Sequence, residues 1–317
     1  MFGVFLDQGS LDIGDLDYTS LEDSLPKWQM YEKTSPAEVL DRVRDATVVI
    51  SNKVMLDASV LEQCKNLKLI CIAATGTNNV DLDAARRLGI TVSNVRAYGT
   101  PSVAQHVFTL ILALSTQLLK YDQDIRNGRW QKHDQFCFMD HPIRELSGKT
   151  LGIVGYGELG KGVAKVASGF DMEVLIAQRP GGEAQEGRLP LQELLPKVDV
   201  LSLHCPLTPE TTNLISEDEF NLMKDDALLI NTARGGIVDE SALVAALKQG
   251  RLGGAGMDVV MVEPPVDGNI LLEEGIPNLI VTPHIAWASN ESRQRLLNQV
   301  VDNITGYLQN QPRNVVC

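Results

Sequence analysis

The chain has 317 residues, enough for two domains that each bury their own core and too few for three of average size. Apolar residues make up 44% and charged residues 22%, with glycine and proline scattered, which argues against a fibrous or disordered chain and calls for short linkers. A formal net charge of -13 argues against nucleic acid or an anionic membrane as partner, because neither phosphates nor lipid head groups attract such a surface.

The opening MFGVFLDQGS has no basic stretch ahead of an apolar one, and no apolar run reaches membrane-span length, so a cytoplasmic protein is expected. Short apolar runs that read as buried parallel strands recur at 46–50, 67–72, 150–154, 172–177, 198–203, 227–231 and 279–282. Helical stretches fit between several of them, at 35–44, 81–88, 160–169 and 240–249, the last closed by Gly250. This alternation is the mark of α/β layers. The apolar stretch 102–119 after Pro101 predicts one buried helix of about five turns, suited to joining two domains. A cofactor domain is expected over 98–285, with 1–97 and 286–317 forming a discontinuous second domain. Cys64, Cys71, Cys137, Cys205 and Cys317 form no CxxC pair and leave an odd count, as suits a reducing compartment, and the sequons at Asn290 and Asn303 are then incidental. His133, Cys137 and His141 lie close together but lack a second ligand cluster, so no metal site is expected.

Behind the run 150–154 stands Gly155-Tyr156-Gly157-Glu158-Leu159-Gly160, followed by a helix and the run 172–177. That strand, turn, helix, strand setting gives a GxGxxG its meaning as a dinucleotide site. Gly155 permits the tight turn, Gly157 lets backbone approach a pyrophosphate, Gly160 lets helix and strand pack, and the helix N-terminus at Glu158 and Leu159 favours negative charge. A site selective for NAD usually carries an acid after the second strand. Here Gln178-Arg179 stands there. Gln178 can bond a ribose hydroxyl and Arg179 can pair with a 2'-phosphate, so NAD and NADP both remain open.

Three further segments, Asn231-Thr232-Ala233-Arg234-Gly235-Gly236, Gly256-Met257-Asp258 with Glu263-Pro264, and Thr282-Pro283-His284-Ile285-Ala286, complete the pattern. With Ala74-Thr75-Gly76 and Gly99-Thr100-Pro101-Ser102-Val103-Ala104, their order and spacing resemble the D-isomer-specific 2-hydroxyacid dehydrogenases over nearly the whole chain. The resemblance implies two doubly wound parallel-sheet domains, a Rossmann cofactor domain inserted in a flavodoxin-like substrate domain. It also implies a catalytic set of Arg234, Glu263 and His284. Reduction of a 2-keto acid needs a proton for the developing alkoxide, and imidazole titrates nearest neutrality. Glu263 would hold the other ring nitrogen, and Arg234 would grip the carboxylate with its fork of donors. By the same resemblance Asp258 would accept a bond from the nicotinamide carboxamide, and Thr232, Ala233, Cys205 and Pro206 would line the cofactor, with Cys205 equally readable as a small buried residue.

The resemblance assigns the backbone of Ala74, Thr75 and Gly76 to the substrate carboxylate. Lys53 is a candidate cation beside it, although a lysine in a turn is ordinarily just exposed. Arg234 and Lys53 are the residues expected to offset the acidic field around anionic ligands. Within the family the segments Leu6-Asp7, Asn52-Lys53-Val54, 73–81, 98–103 and His284-Ile285-Ala286-Trp287-Ala288 look most like glycerate dehydrogenases, or hydroxypyruvate reductases, which points to hydroxypyruvate or glyoxylate. Alternatives are a member acting on phosphite or a larger 2-keto acid, and a non-enzymatic NAD(H)-binding corepressor-like protein. A homodimer is expected, through the 102–119 helix unless that helix is internal, and Trp287 is left between pocket and dimer contact.

Overall fold

The computed structural model describes residues 1–317 and divides into two compact units, residues 1–99 with 288–317, and residues 100–287. Each is built on one sheet in which every strand pairing is parallel. The first sheet holds β1 (Gly3–Phe5), β2 (Trp28–Met30), β3 (Val48–Ser51), β4 (Leu69–Ile72) and β5 (Thr91–Ser93) in the order β2-β1-β3-β4-β5. That is the flavodoxin-like order. The second holds β6 (Thr150–Val154), β7 (Glu173–Ile176), β8 (Val200–Leu203), β9 (Leu228–Asn231), β10 (Gly254–Met257) and β11 (Leu279–Val281) in the order β11-β10-β9-β8-β6-β7. An isolated parallel bridge between Ala177 and Leu189 continues this sheet past β7. Counted as a reduced strand, it completes a Rossmann arrangement in which the strand order reverses at β6.

Four strands have no counterpart among the expected runs. β1, β2 and β5 are three residues each, too short to show a period, and β10 reads Gly-Ala-Gly-Met, with little strand propensity. Packing explains the glycines of β10. A Cβ on Gly256 would lie 2.9 Å from Leu110, and one on Gly254 would lie 3.2 Å from Leu114, both on the helix that crosses this strand.

That helix, Thr100–Ser115, is shorter than the expected five-turn element. Gln117 adopts a left-handed conformation with φ 52°, and a second helix, Leu118–Arg126, leaves at 60° to the first. The apolar run itself carries no stop signal. The stop comes from the returning chain, where the Arg144 amide donates to the Ser115 carbonyl at 2.9 Å. Val107 and Ile111 have no exposed surface and Phe108 stacks on Phe170, so the helix is a core element of its own unit. Its apolar composition needs no second copy of the chain. No single helix is long and apolar enough to cross a membrane.

In the first unit the helix Asn290–Leu308 begins at an N-cap Ser289 and is tied to the N-terminal segment through Arg293, whose guanidinium donates to both Asp15 oxygens at 2.7 Å. Residues 315–317 lie along β5, the Val316 amide donating to Val92 at 2.8 Å. Both sheets therefore present the C-terminal ends of their strands as loop-lined edges, which is where ligands bind in doubly wound folds.

Candidate active site

At the reversal point of the second sheet, β6 runs into the glycine turn. Gly155 has φ 93°, and a Cβ there would sit 2.6 Å from the Cys205 amide nitrogen. A Cβ on Gly160 would sit 2.3 Å from the Gly155 carbonyl oxygen. Gly157 faces open space and, having no side chain, leaves the first amides of helix Glu158–Ser168 uncapped. This is a cradle that side chains would fill, and it fits a pyrophosphate at a helix N-terminus. Glu158 is exposed in the first turn and Leu159 is half-buried. Past β7, Gln178 is held by its amide bond to Leu189, and Arg179 is exposed. Glu210, across the loop after β8, has its carboxyl held below its usual range, first by its bond with Thr208 and in part by the charge of Arg179.

The loop after β8 brings the backbone of His204 and Cys205 against this turn, with Pro206 next in the chain. Burial pushes the Cys205 thiol up to about 11 and the neighbouring His204 ring down to about 4, so both are neutral at physiological pH. The buried cysteine packs beside Gly155, and its raised thiol has little thiolate character. Thr232 Oγ1 and His204 Nδ1, just beyond the C-terminal ends of the adjacent strands β9 and β8, are buried without a hydrogen-bond partner.

Arg234 is displayed by a turn that Asn231 folds. The Asn231 side-chain oxygen accepts from the Ala233 amide at 3.0 Å, and its nitrogen donates to the Arg234 carbonyl at 2.8 Å. The guanidinium is exposed, with one contact to the Ala233 carbonyl at 2.6 Å.

His284 follows β11 in a left-handed conformation, φ 55°, a strain of about 1 kcal/mol for a residue with a side chain. Its amide donates to the Asp258 carbonyl at 2.7 Å and its carbonyl accepts from the Trp287 indole at 2.9 Å. The ring Nδ1 lies 2.6 Å from Glu263 Oε2, while Glu263 Oε1 accepts from the Val260 amide at 3.1 Å. Burial pushes the Glu263 carboxyl up, but the bond and charge of His284, the Val260 amide and the charge of Arg234 together hold it below its usual value. With Nδ1 engaged, Nε2 is left without a protein partner, on a ring whose side chain is 30% exposed.

Asp258 has a structural task in the chain that the sequence did not announce. It has no exposed surface, and its carboxylate accepts from the Thr282 hydroxyl at 2.6 Å and from the amides of Ile285 at 2.9 Å and Ala286 at 2.8 Å. Those bonds hold the turn carrying His284. Because the Thr282 hydroxyl donates to Asp258, it accepts from His106 Nε2 at 3.0 Å, which fixes the proton on that nitrogen.

In the other unit, Lys53 and Ala74–Thr75–Gly76 stand at the ends of the adjacent strands β3 and β4. Buried Asp7 shapes the first loop, accepting from the amides of Asn52, Lys53 and Val54. The Thr75 carbonyl accepts from Asn94 at 2.8 Å and its hydroxyl donates to Val95, leaving the Thr75 and Gly76 amides unbonded within the chain. His133 and His141 belong elsewhere. His133 packs against Phe138, His141 bonds Asp124, and no group of three His, Cys, Asp or Glu side chains is arranged to hold a metal.

The residues that orient the site, Asn231, Thr282, His106 and Trp287, were not assigned from sequence. Asn231 and Thr282 stand inside the segments 231–236 and 282–286, so their placement was a signal, but the direction of a side chain behind a turn leaves no periodic trace. Comparison with known proteins gives the same class. Residues 108–286 match the family model described as D-isomer specific 2-hydroxyacid dehydrogenase, NAD binding domain. A glycerate dehydrogenase of Methylorubrum extorquens is 48% identical over 99% of this chain and 98% of its own. A hydroxypyruvate reductase of Blautia hydrogenotrophica is 40% identical over the same shares, 99% and 98%. A solved acyclic imino acid reductase in complex with NADPH and D-Arg superposes with a TM-score of 0.86 at 28% identity, covering 100% of both chains. The chain belongs to the D-isomer specific 2-hydroxyacid dehydrogenase family, and its class is that of a nicotinamide-dependent oxidoreductase of small hydroxy and keto acids.

The lowered carboxyl of Glu263 has a pH signature. A group whose folded pKa is depressed contributes stability above its unfolded value and loses it as pH falls through the folded one. Denaturant titrations of the wild type and E263Q should therefore converge in stability as pH drops below the ordinary glutamate value of 4.5. Parallel curves over that range would show that the Glu263 and His284 contact does not form in solution.

Proposed function

We propose that this chain reduces a small 2-keto acid at C2, hydroxypyruvate or the shorter glyoxylate, to the D-2-hydroxy acid, with His284 as proton donor. The 2.6 Å contact between His284 Nδ1 and Glu263 carries the reading. Glu263 takes the Nδ1 proton's bond, so the charged ring offers its remaining proton from Nε2 to the oxygen that becomes alkoxide. In the oxidative direction the neutral ring accepts a proton at the same atom. Arg234, the exposed cation of its turn, pairs with the carboxylate and polarises the carbonyl.

Bound at the glycine turn, the nicotinamide cofactor, NAD or NADP, supplies the hydride. Gly155, Gly157, Glu158, Leu159 and Gly160 would hold its pyrophosphate, Gln178 and Arg179 its ribose, and Cys205, Pro206, Thr232 and Ala233 the remainder. Asp258 acts through the 282–286 turn. Lys53 and the amides of Ala74, Thr75 and Gly76 are the proposed groups for the substrate carboxylate. The functions carried in the names of the two relatives, glycerate dehydrogenase and hydroxypyruvate reductase, favour the small hydroxylated acid over phosphite or a larger keto acid.

The test is nicotinamide absorbance with hydroxypyruvate, glyoxylate and pyruvate, each with NADH and NADPH. Hydroxypyruvate should turn over fastest, and H284A should lose about 10²–10⁴-fold in kcat, the range of general acid and base catalysis, while binding cofactor normally. Cofactor binding without turnover of any of the three acids would contradict the reading and favour phosphite oxidation or a corepressor-like protein.

A homodimer is part of the proposal, with a different contact surface from the one expected. The segment after the bend exposes Leu118, Leu119, Trp130 and Ile143, and with them Phe136 at 88% and Met139 at 82%. We read this concentration of exposed apolar side chains along one segment as the interaction surface. Light scattering should give twice the chain mass for the wild type and the chain mass for an F136S/M139S variant. A monomeric wild type would contradict the dimer.

A further inference from the structure

We infer that Glu240, which belongs to no motif of the site, is a positioning residue that clamps the loop bearing Glu263 and so sets the proton donor. The inference rests on the reductase reading for its catalytic consequence and on the geometry for the clamp itself.

Glu240 opens helix Glu240–Lys248 and is only 8% exposed. No cation pairs with it. Its two carboxylate oxygens instead accept from the two ends of one loop, Oε1 from the Met261 amide at 2.6 Å and Oε2 from the Asn269 side-chain nitrogen at 2.7 Å. Between those anchors the loop is open to solvent, with Met261, Val262, Glu263 and Pro264 all exposed. It has little core of its own to hold it. Glu263 is two residues from the first anchor, and its own second bond is to the Val260 amide, the peptide next to the one Glu240 grips.

The same peptide is pressed from the other side by the turn of Arg234. A Cβ on Gly235 would lie 2.1 Å from the Val260 carbonyl oxygen and 2.4 Å from the Met261 nitrogen. Glu240 thus fixes the point where the Arg234 turn and the Glu263 loop meet. A buried carboxylate is costly unless hydrogen-bonded, and here its chemistry is specific to the task. An amide in its place keeps an acceptor for Met261 but turns a donor toward the Asn269 donor. Asn269 cannot flip to meet it without losing the Leu271 amide, which its oxygen accepts at 2.8 Å.

The test uses E240A, E240Q, N269D and the pair E240Q/N269D, with E219A as a control. Glu219 makes a comparable first-turn carboxylate bond, in a capping box with Ser216, away from the loop. E240A and E240Q should lose at least about tenfold in kcat for hydroxypyruvate with cofactor KM within about twofold, a split that loss of stability alone does not give. E219A should lower Tm and leave kcat unchanged. N269D alone sets two carboxylates face to face and should also fail, whereas the pair restores a donor opposite an acceptor and should recover most of the lost kcat. The clamp is overturned if E240A lowers Tm yet keeps kcat within twofold, or if the pair fails to recover. Hydrogen exchange by mass spectrometry reads the clamp without turnover. Peptides spanning 260–269 should exchange faster in E240A, and unchanged exchange overturns the clamp even if the wild type reduces no 2-keto acid.

Discussion

Asp258 is the constraint on which the site is built. A carboxylate with no exposed surface is tolerated only when its oxygens are satisfied, and here three donors, all from residues 282–286, satisfy it. Charge-assisted bonds of this sort contribute roughly 1.5–3 kcal/mol each, enough to hold a histidine backbone in the left-handed region against a strain of about 1 kcal/mol. Turn and strand are therefore one unit. The consequence for chemistry is that His284 faces Glu263 at a fixed distance, with one ring nitrogen committed and the other free.

The same economy of charge runs through the molecule. With a net charge of -13 the surface repels an anion, yet within each unit a buried acid is turned onto hydrogen-bond donors of the loops at the strand ends. Asp258 faces its turn, Asp7 faces the amides of the Lys53 loop, and Glu240 faces the Glu263 loop. Each uses its charge on backbone N–H groups. Arg234 stays exposed, with its charge uncompensated except by Glu263.

The layered fold was legible because parallel strands buried on both faces read as continuous apolar runs, and seven such runs became strands of the two sheets. What escaped was set by tertiary contact. β10 is a strand because helix Thr100–Ser115 crosses it on two glycines, and that helix stops at Ser115 because Arg144 takes its last carbonyl. Neither fact lies in local propensity. In the site, motif position marked Glu263 and His284, which the structure brings to 2.6 Å of each other, but the bonds of Asp258 to the 282–286 turn were not legible, since sequence does not tell whether a carboxylate looks outward or back into its own turn. Glu240 sits at a helix start, where an acid is ordinary, and its reach to both ends of a distant loop has no sequence signature.

A double-mutant cycle on the Glu263 and His284 pair tests the central claim most directly, read as kcat/KM for 2-keto acid reduction with E263Q, H284N and the double variant. If Glu263 acts only by holding the His284 ring, E263Q should cost activity in the wild type and almost nothing once H284N is present. Equal losses from E263Q in both backgrounds would contradict the account, because Glu263 would then act independently of His284.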